Sequence, residues 1–394
     1  MSKKHIYYES ERKSGLIIFF IRFVDLWVDL YASLFKKQGK GTSSQDILIS
    51  SFGHLGDALM ISYTFPAIKN KYPDAKIDLL VGDWCKPIFE NNPYVNDVII
   101  INHFFTNRKA ISVLKKLVVH FQTTISAYKI LKHKQYAYSF DFRYTTATSH
   151  YFTHFLNVGK RVGFGSAGFG GLLDSEFPLP PLNMHLLEIV GLLFGEADMK
   201  LELSEIIPYF SLKTSEEVTQ SKFQSFSLEN KYVVIFPETG EPLRAISFNF
   251  WEKVVYELSK LFEGNILIIG QNNETDLWAK TLKEKYGKRI VVKTDGLNLS
   301  DLIIVTAKAK IAFTLESFPA HLGSIFTQTV SLFKDGAGFT YFPIAKYKSV
   351  VIHNDLQSQN SPSLPNVYNV YIKDIEGAIS MEYIRKSILE FLNK

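Results

Sequence analysis

The chain has 394 residues, 46% hydrophobic, 21% charged and 14% aromatic, a composition that excludes disordered and fibrous classes and a length that predicts about two globular domains. Cys85 is the sole cysteine, which excludes an internal disulfide and a cysteine-rich metal site and leaves a reducing compartment open. The net charge of +5 is uneven: residues 1–40 hold eight Lys/Arg against four acids, and Asn102 to Lys134 holds seven with no acid. Such runs either meet phosphate on nucleic acid, nucleotides or lipid, or are solvated helix faces.

The first element is "GLIIFFIRFVDLWVDLYASLFKK". A spanning helix needs about 20 largely apolar residues, and Arg22, Asp25 and Asp29 interrupt this one; it also lacks the cleavage site of a signal peptide. On a helix, Arg22, Asp25, Asp29, Ser33 and Lys36 form one narrow polar stripe opposite Phe19, Phe23, Trp27 and Leu30. With lysines at both ends, the segment 1–44 reads as an amphipathic basic helix lying in the plane of an anionic membrane surface, or else as a helix docked on the protein's own body.

From residue 46, "DILISS", "KIDLLV", "DVIIIN", "AYSFDF" and "KRVGF" read as strands, with "ALMISYTFPAIKNKY" as a helix between the first two. The pattern lapses into a polar stretch around 204–230 and resumes with "YVVIFP", "NILIIG", "RIVVK", "KIAFT" and "TVSLF", each followed by turn or helix signals. Strands alternating with helices predict an α/β protein of two doubly wound, Rossmann-like parallel-sheet domains. The expected plan is a first domain over 45–215, a linker over 216–230, a second domain over 231–375 and a terminal helix over 376–394.

In open parallel sheets ligands bind beyond the carboxyl ends of strands, so the chemistry is expected in the loops there. "SFGHLGD" follows the first strand: Gly53 and Gly56 permit a tight turn, and Asp57 stands in the first turn of the next helix as an ordinary cap or a functional carboxylate. No Lys-Ser/Thr follows the glycines, and the pattern is not G-x-G-x-x-G, so phosphate cradling is disfavoured here. After "YVVIF" comes "PETGEPLRAISFNFWEKV", where Thr239, Gly240 and Arg244 form a candidate anion site. Glu274, after "NILII", could accept from ribose hydroxyls or simply begin a helix. Glu316, Ser317 and His321 surround the proline-marked turn after "KIAFT".

Together these loops resemble glycosyltransferase family 9, the lipopolysaccharide heptosyltransferases and their relatives, from about Ile47 to Phe333. The stretch from "ILISSFGHLGDALM" to "PYVNDVI" is similar to the family's opening block, "FPETGEPLRAISFNFWEKV" to its H-P-G-[ST]-G region, and "LESFPAHL" to D-S-G-P-M-H-L. The resemblance implies the GT-B fold, two domains facing across a cleft, and an inverting, metal-independent transferase without cofactor. It makes Asp57 the catalytic base, Thr239, Gly240 and Arg244 the diphosphate site, Glu274 the ribose-side acid and His321 a phosphate partner. The donor would be a nucleotide sugar, with ADP-heptose as candidate, and the acceptor a glycolipid or surface polysaccharide. The protein would sit peripherally on the inner, cytoplasmic face of a bacterial membrane, with no nucleic-acid partner. Glu316 and Phe318 replace the family's Asp and Gly, Arg244 its lysine and Phe236 its histidine, so the donor pocket is expected to be reshaped. A sugar-nucleotide epimerase and a non-catalytic sugar-nucleotide or glycan binding protein are the competing functions.

Overall fold

The computed structural model describes residues 15–35, 42–145, 148–181, 183–210, 231–295, 297–334 and 338–393. The expected linker, 216–230, and the lysines flanking the first helix lie outside the described residues. Two compact units divide the chain, 1–202 and 203–394.

The first unit begins with α1 (Gly15–Phe35), followed by β1 (Ile47–Ser51), α2 (Leu55–Ser62), α3 (Phe65–Lys71), β2 (Ile77–Val81), α4 (Lys86–Phe89) and β3 (Val95–Ile100). It continues through α5 (Val113–Leu131), β4 (Gln135–Asp141), α6 (His150–Thr153), β5 (Asn157–Phe164), β6 (Ser175–Phe177) and α7 (Leu186–Phe194). The strands form one sheet in the order β3-β2-β1-β4-β5-β6, parallel throughout. β1 and β2 are buried along their whole length because helices cover both sides. On one face Leu48, Phe52, Leu80 and Ile99 pack against Ala127 and Leu131 of α5 and against Phe152 and Leu156.

The segment expected as one helix over 58–72 is two. Pro66 stands within the first two positions of α3, where its missing N–H costs nothing; inside a continuous helix it would remove a bond and clash with the preceding turn. Thr64 marks the break, donating its hydroxyl to the Ile61 carbonyl at 2.8 Å.

α1 turns its acids inward. Asp25 is buried and accepts the Phe169 backbone N–H at 2.5 Å, and Asp29 accepts that of Gly171 at 3.1 Å. Phe169 is in the left-handed region (φ 56°), and a Cβ on Gly171 would lie 2.4 Å from an Asp29 carboxylate oxygen. Asp25 and Asp29 of the polar stripe thus dock on the body, while Arg22 and Ser33 stay exposed and Phe23, Leu26, Trp27, Leu30 and Leu34 are exposed to solvent.

The second unit runs β7 (Tyr232–Phe236), α8 (Phe248–Leu261), β8 (Asn265–Ile269), α9 (Asn273–Tyr286), β9 (Ile290–Lys293), α10 (Leu299–Lys308), β10 (Ile311–Leu315), α11 (Phe318–Phe326), β11 (Gln328–Phe333), β12 (Ser349–His353), β13 (Val367–Tyr371) and α12 (Ala378–Leu392). Its sheet has the order β13-β12-β11-β10-β7-β8-β9, again parallel. Alternate residues divide between two cores: Val233, Ile235, Ile266 and Ile268 face Trp251 and Val254 of α8, while Val234, Phe236 and Leu267 face Val305 of α10. β6, β12 and β13 add to the strands expected from sequence.

Candidate active site

In each sheet the strand order reverses at one place, between β1 and β4 in the first and between β7 and β10 in the second. Loops leaving adjacent strands in opposite directions open a crevice there, and ligands of doubly wound folds bind at such crevices. Both crevices hold a charged cluster.

In the first, Asp57 occupies the third position of α2. Its carboxylate accepts the His54 backbone N–H at 3.0 Å, closing the helix start. The same oxygen, Oδ2, is 3.2 Å from Nη1 of Arg143, on the loop after β4. Gly53 is required for this approach: a Cβ there would fall 2.4 Å from Asp57 Oδ2. The Gly53 carbonyl is fixed from the other side by the Trp84 indole N–H at 2.9 Å. Gly56 lies in the first turn of α2. Buried Asp141, the last residue of β4, sets the loop bearing Arg143 by accepting the backbone N–H of Arg143 at 3.0 Å and of Ser149 at 2.6 Å.

Burial and nearby positive charge keep the imidazoles neutral. Burial, then the charge of Arg108, and further that of Arg143, pull the His54 imidazole down to about 4 against the opposing effect of Asp57. His54 is therefore neutral near pH 7. His103, stacked on Phe52 at 5.5 Å between ring centroids, falls to about 3, chiefly through burial with added effects of His120 and Arg143. The crevice accordingly sets the Asp57 carboxylate beside a guanidinium and neutral imidazoles.

In the second crevice Thr239 and Arg244 follow β7, and Glu316 and Ser317 follow β10. Thr239 Oγ1 donates to the Glu316 carbonyl at 3.4 Å, and Arg244 Nη1 is ion-paired with the buried Glu316 carboxylate. Gly240 is exposed in the turn beyond Thr239, and Ser317 donates its hydroxyl to the Leu315 carbonyl at 3.3 Å. His321 is buried in α11, on the same strand-to-helix connection. Glu274 is exposed on the first turn of α9, after β8, the strand beside β7. The carboxylate that reaches the β8 loop is Glu238, accepting the backbone N–H groups of Gln271 at 2.8 Å and Asn272 at 3.1 Å.

Sequence reasoning missed Arg143, His54, Arg108 and Glu238. The signal for Arg143 was its position, directly after the "SFDF" strand; for Glu238 it was an acid at the carboxyl end of β7. Among the described residues no three His, Cys, Asp or Glu side chains group as a metal site would require. No helix among them is long and apolar enough to cross a membrane.

Two doubly wound parallel-sheet domains in tandem are the architecture of the GT-B fold. The solved structures it matches include the Escherichia coli ADP-heptose lps heptosyltransferase II, at a TM-score of 0.65 with 17% identity over 89% of this chain and 98% of that one. A family 9 glycosyltransferase from Veillonella parvula matches at 0.63, with 14% identity over 78% and 86%. The E. coli heptosyltransferase WaaC solved with ADP matches at 0.59, with 14% identity over 87% and 100%. At these identities the shared property is the fold. No family profile matches the sequence, and no curated protein does.

Proposed function

We propose that this chain is an inverting, metal-independent glycosyltransferase that moves a sugar from a nucleoside diphosphate donor, with ADP-heptose as the candidate, to a lipopolysaccharide-type or other surface-glycan acceptor. The observation that carries the reading is the division of labour between the crevices: a carboxylate held by Arg143 in the first, and an arginine and a hydroxyl beside exposed backbone in the second. Asp57 would take the proton of the acceptor hydroxyl as its oxygen bonds to the anomeric carbon. The bond from that carbon to the diphosphate breaks with its electron pair leaving on the nucleotide, where Arg244 and the Thr239–Gly240 turn would meet the growing charge. Arg244 Nη1 is engaged by Glu316 beforehand, so an incoming diphosphate would share the guanidinium with a carboxylate or displace it. Arg143 and Arg108 suit an anionic acceptor. The outward apolar face of α1 supports a peripheral place on the inner face of the bacterial cytoplasmic membrane.

A thermal-shift screen against nucleoside diphosphates and their sugars tests the donor site, because a ligand that binds only the native state at 100 times its Kd adds about 2.7 kcal/mol. One base should stand out, and its sugar should then be transferred with release of the diphosphate only when acceptor is present. Stabilisation by no nucleotide would overturn the reading, and conversion of the sugar nucleotide without acceptor would replace it with epimerisation.

A further inference from the structure

We propose that α5 is a second lipid-contacting helix and that, with α1, it forms a two-helix foot for an anionic bilayer. The inference rests on the membrane location proposed for α1 and adds a site with its own observation.

α5 carries apolar residues on two faces. Ala127 and Leu131 enter the core, while Leu114 (73% exposed), Val118 (47%), Phe121 (65%), Ile125 (55%) and Tyr128 (41%) lie in water. Their spacing of 4, 3, 4 and 3 places all five on a single stripe about 21 Å long at 1.5 Å per residue. Single exposed apolar residues are ordinary, but a continuous stripe of this length marks a contact surface.

Charge selects the occupant. From Asn102 to Lys134 the chain has no acid, and Lys115, Lys129 and Lys132 are exposed around the stripe. An apolar strip flanked by lysines fits the boundary between acyl chains and anionic headgroups, where the lysine stems reach outward to phosphate. α1 likewise leaves an apolar face exposed, with Phe23, Trp27 and Leu30 in solvent. α5 and the α6 region cover the same face of the sheet through Leu131, Phe152 and Leu156, and the Tyr151 hydroxyl lies 2.9 Å from His120 Nε2 of α5. Next to it, His154 meets Tyr31 of α1 at 5.8 Å between centroids. Phe155, at this junction, is 67% exposed. The inward bonds of Asp25 and Asp29 hold α1 with its apolar side out, so both helices expose lipid-compatible surface on a fixed body.

The test uses the full chain. Cys85 is buried, so a Phe121→Cys variant takes an environment-sensitive fluorophore at one place. Its emission should shift to the blue with vesicles of phosphatidylcholine and phosphatidylglycerol, stay unshifted with phosphatidylcholine alone, and be quenched by nitroxides on the acyl chains. A Leu114→Gln/Phe121→Gln/Ile125→Gln variant keeps helix propensity and should partition onto anionic vesicles at least about tenfold more weakly, since binding follows buried apolar area. Nucleotide-induced thermal shifts should not change. If the unlabelled protein floats with anionic vesicles while the probe reports water and the triple variant binds normally, the α5 site is wrong and the α1 reading stands. If the protein does not bind anionic vesicles at all, both fail. A blue shift without lipid, accompanied by dimerisation in sedimentation, would overturn the proposal by making the stripe a surface for a second copy.

Discussion

Replacing Asp57 by Asn separates a helix cap from a base. The substitution keeps the shape and leaves a carbonyl to accept the His54 N–H now bonded at 3.0 Å, but removes the charge facing Arg143 at 3.2 Å. Both side chains are mostly covered, 15% and 19% exposed, so the lost pair is worth more than a surface ion pair, about 1–2 kcal/mol. Loss of a negative charge at the helix start adds about 0.3–1 kcal/mol. At about 2–4 °C per kcal/mol for a domain of this size, the melting temperature should fall by about 5 °C. The rate should fall much further, by about two decades or more, because acceptor activation loses its base; that is about 2.7 kcal/mol in the barrier. Diphosphate release, followed with the donor chosen by thermal shift, measures the rate, and calorimetry measures the stability. An Arg143→Ala variant supplies the stability control: it loses the same ion pair while the carboxylate remains, so its melting temperature should fall by a comparable amount. A rate within a few-fold of the parent in Asp57→Asn, with the expected melting change, would refute the base assignment and leave Asp57 as a cap.

Three further outcomes are expected. Gly53→Ala should lower the rate at least about tenfold, because the new methyl would sit 2.4 Å from Asp57 Oδ2 and must displace the carboxylate; in an Asp57→Asn background the same change should add little to the rate loss. Glu316→Gln should tighten ADP binding about three- to tenfold in titration calorimetry, since it frees the guanidinium that the ion pair occupies; weaker binding would show that Glu316 aims Arg244 rather than competing for it. Stability in urea should fall on acidification from about pH 6.5 to about 4. His54 and His103 stay neutral in the fold with values lowered to about 4 and about 3, so the unfolded state takes up protons first and acid draws the equilibrium toward it. His103→Gln should flatten that slope, and an unchanged slope would refute the assignment.

The parallel architecture was legible because central strands buried on both faces are unbroken apolar runs such as "YVVIF" and "NILII". What escaped lay at edges and junctions. β6 is three residues long, below any periodic signal, and β13, "VYNVY", leaves Tyr368 half exposed, so its pattern is that of a partly solvated edge. The pause between α2 and α3 was written in Pro66, but the apolar spacing runs on through it. α1 inverted the usual inference: amphipathicity gives two faces without saying which meets the protein, and here the carboxylates dock because backbone N–H groups at Phe169 and Gly171 await acceptors.

The charged pairs were illegible for a different reason. Asp57 and Arg143 are 86 residues apart, and Arg244 and Glu316 are 72 apart; each partner reads alone as a cap, a loop cation or a strand-end acid. Only strand order joins them, since β1 adjoins β4 and β7 adjoins β10, and strand order is not written in the apolar pattern of either strand. The pairing also reverses the meaning of Glu316. Taken along the sequence, the extra methylene relative to aspartate changes the size of a pocket; in the fold the Glu316 carboxylate is ion-paired with Arg244, where it would compete with a diphosphate bound at the proposed site. A guanidinium so engaged is also kept in place, since the ion pair restrains a long side chain that would otherwise lose rotamer freedom only on binding. Competition and restraint act on affinity with opposite signs, and removing the charge at Glu316 while keeping its length measures which is larger.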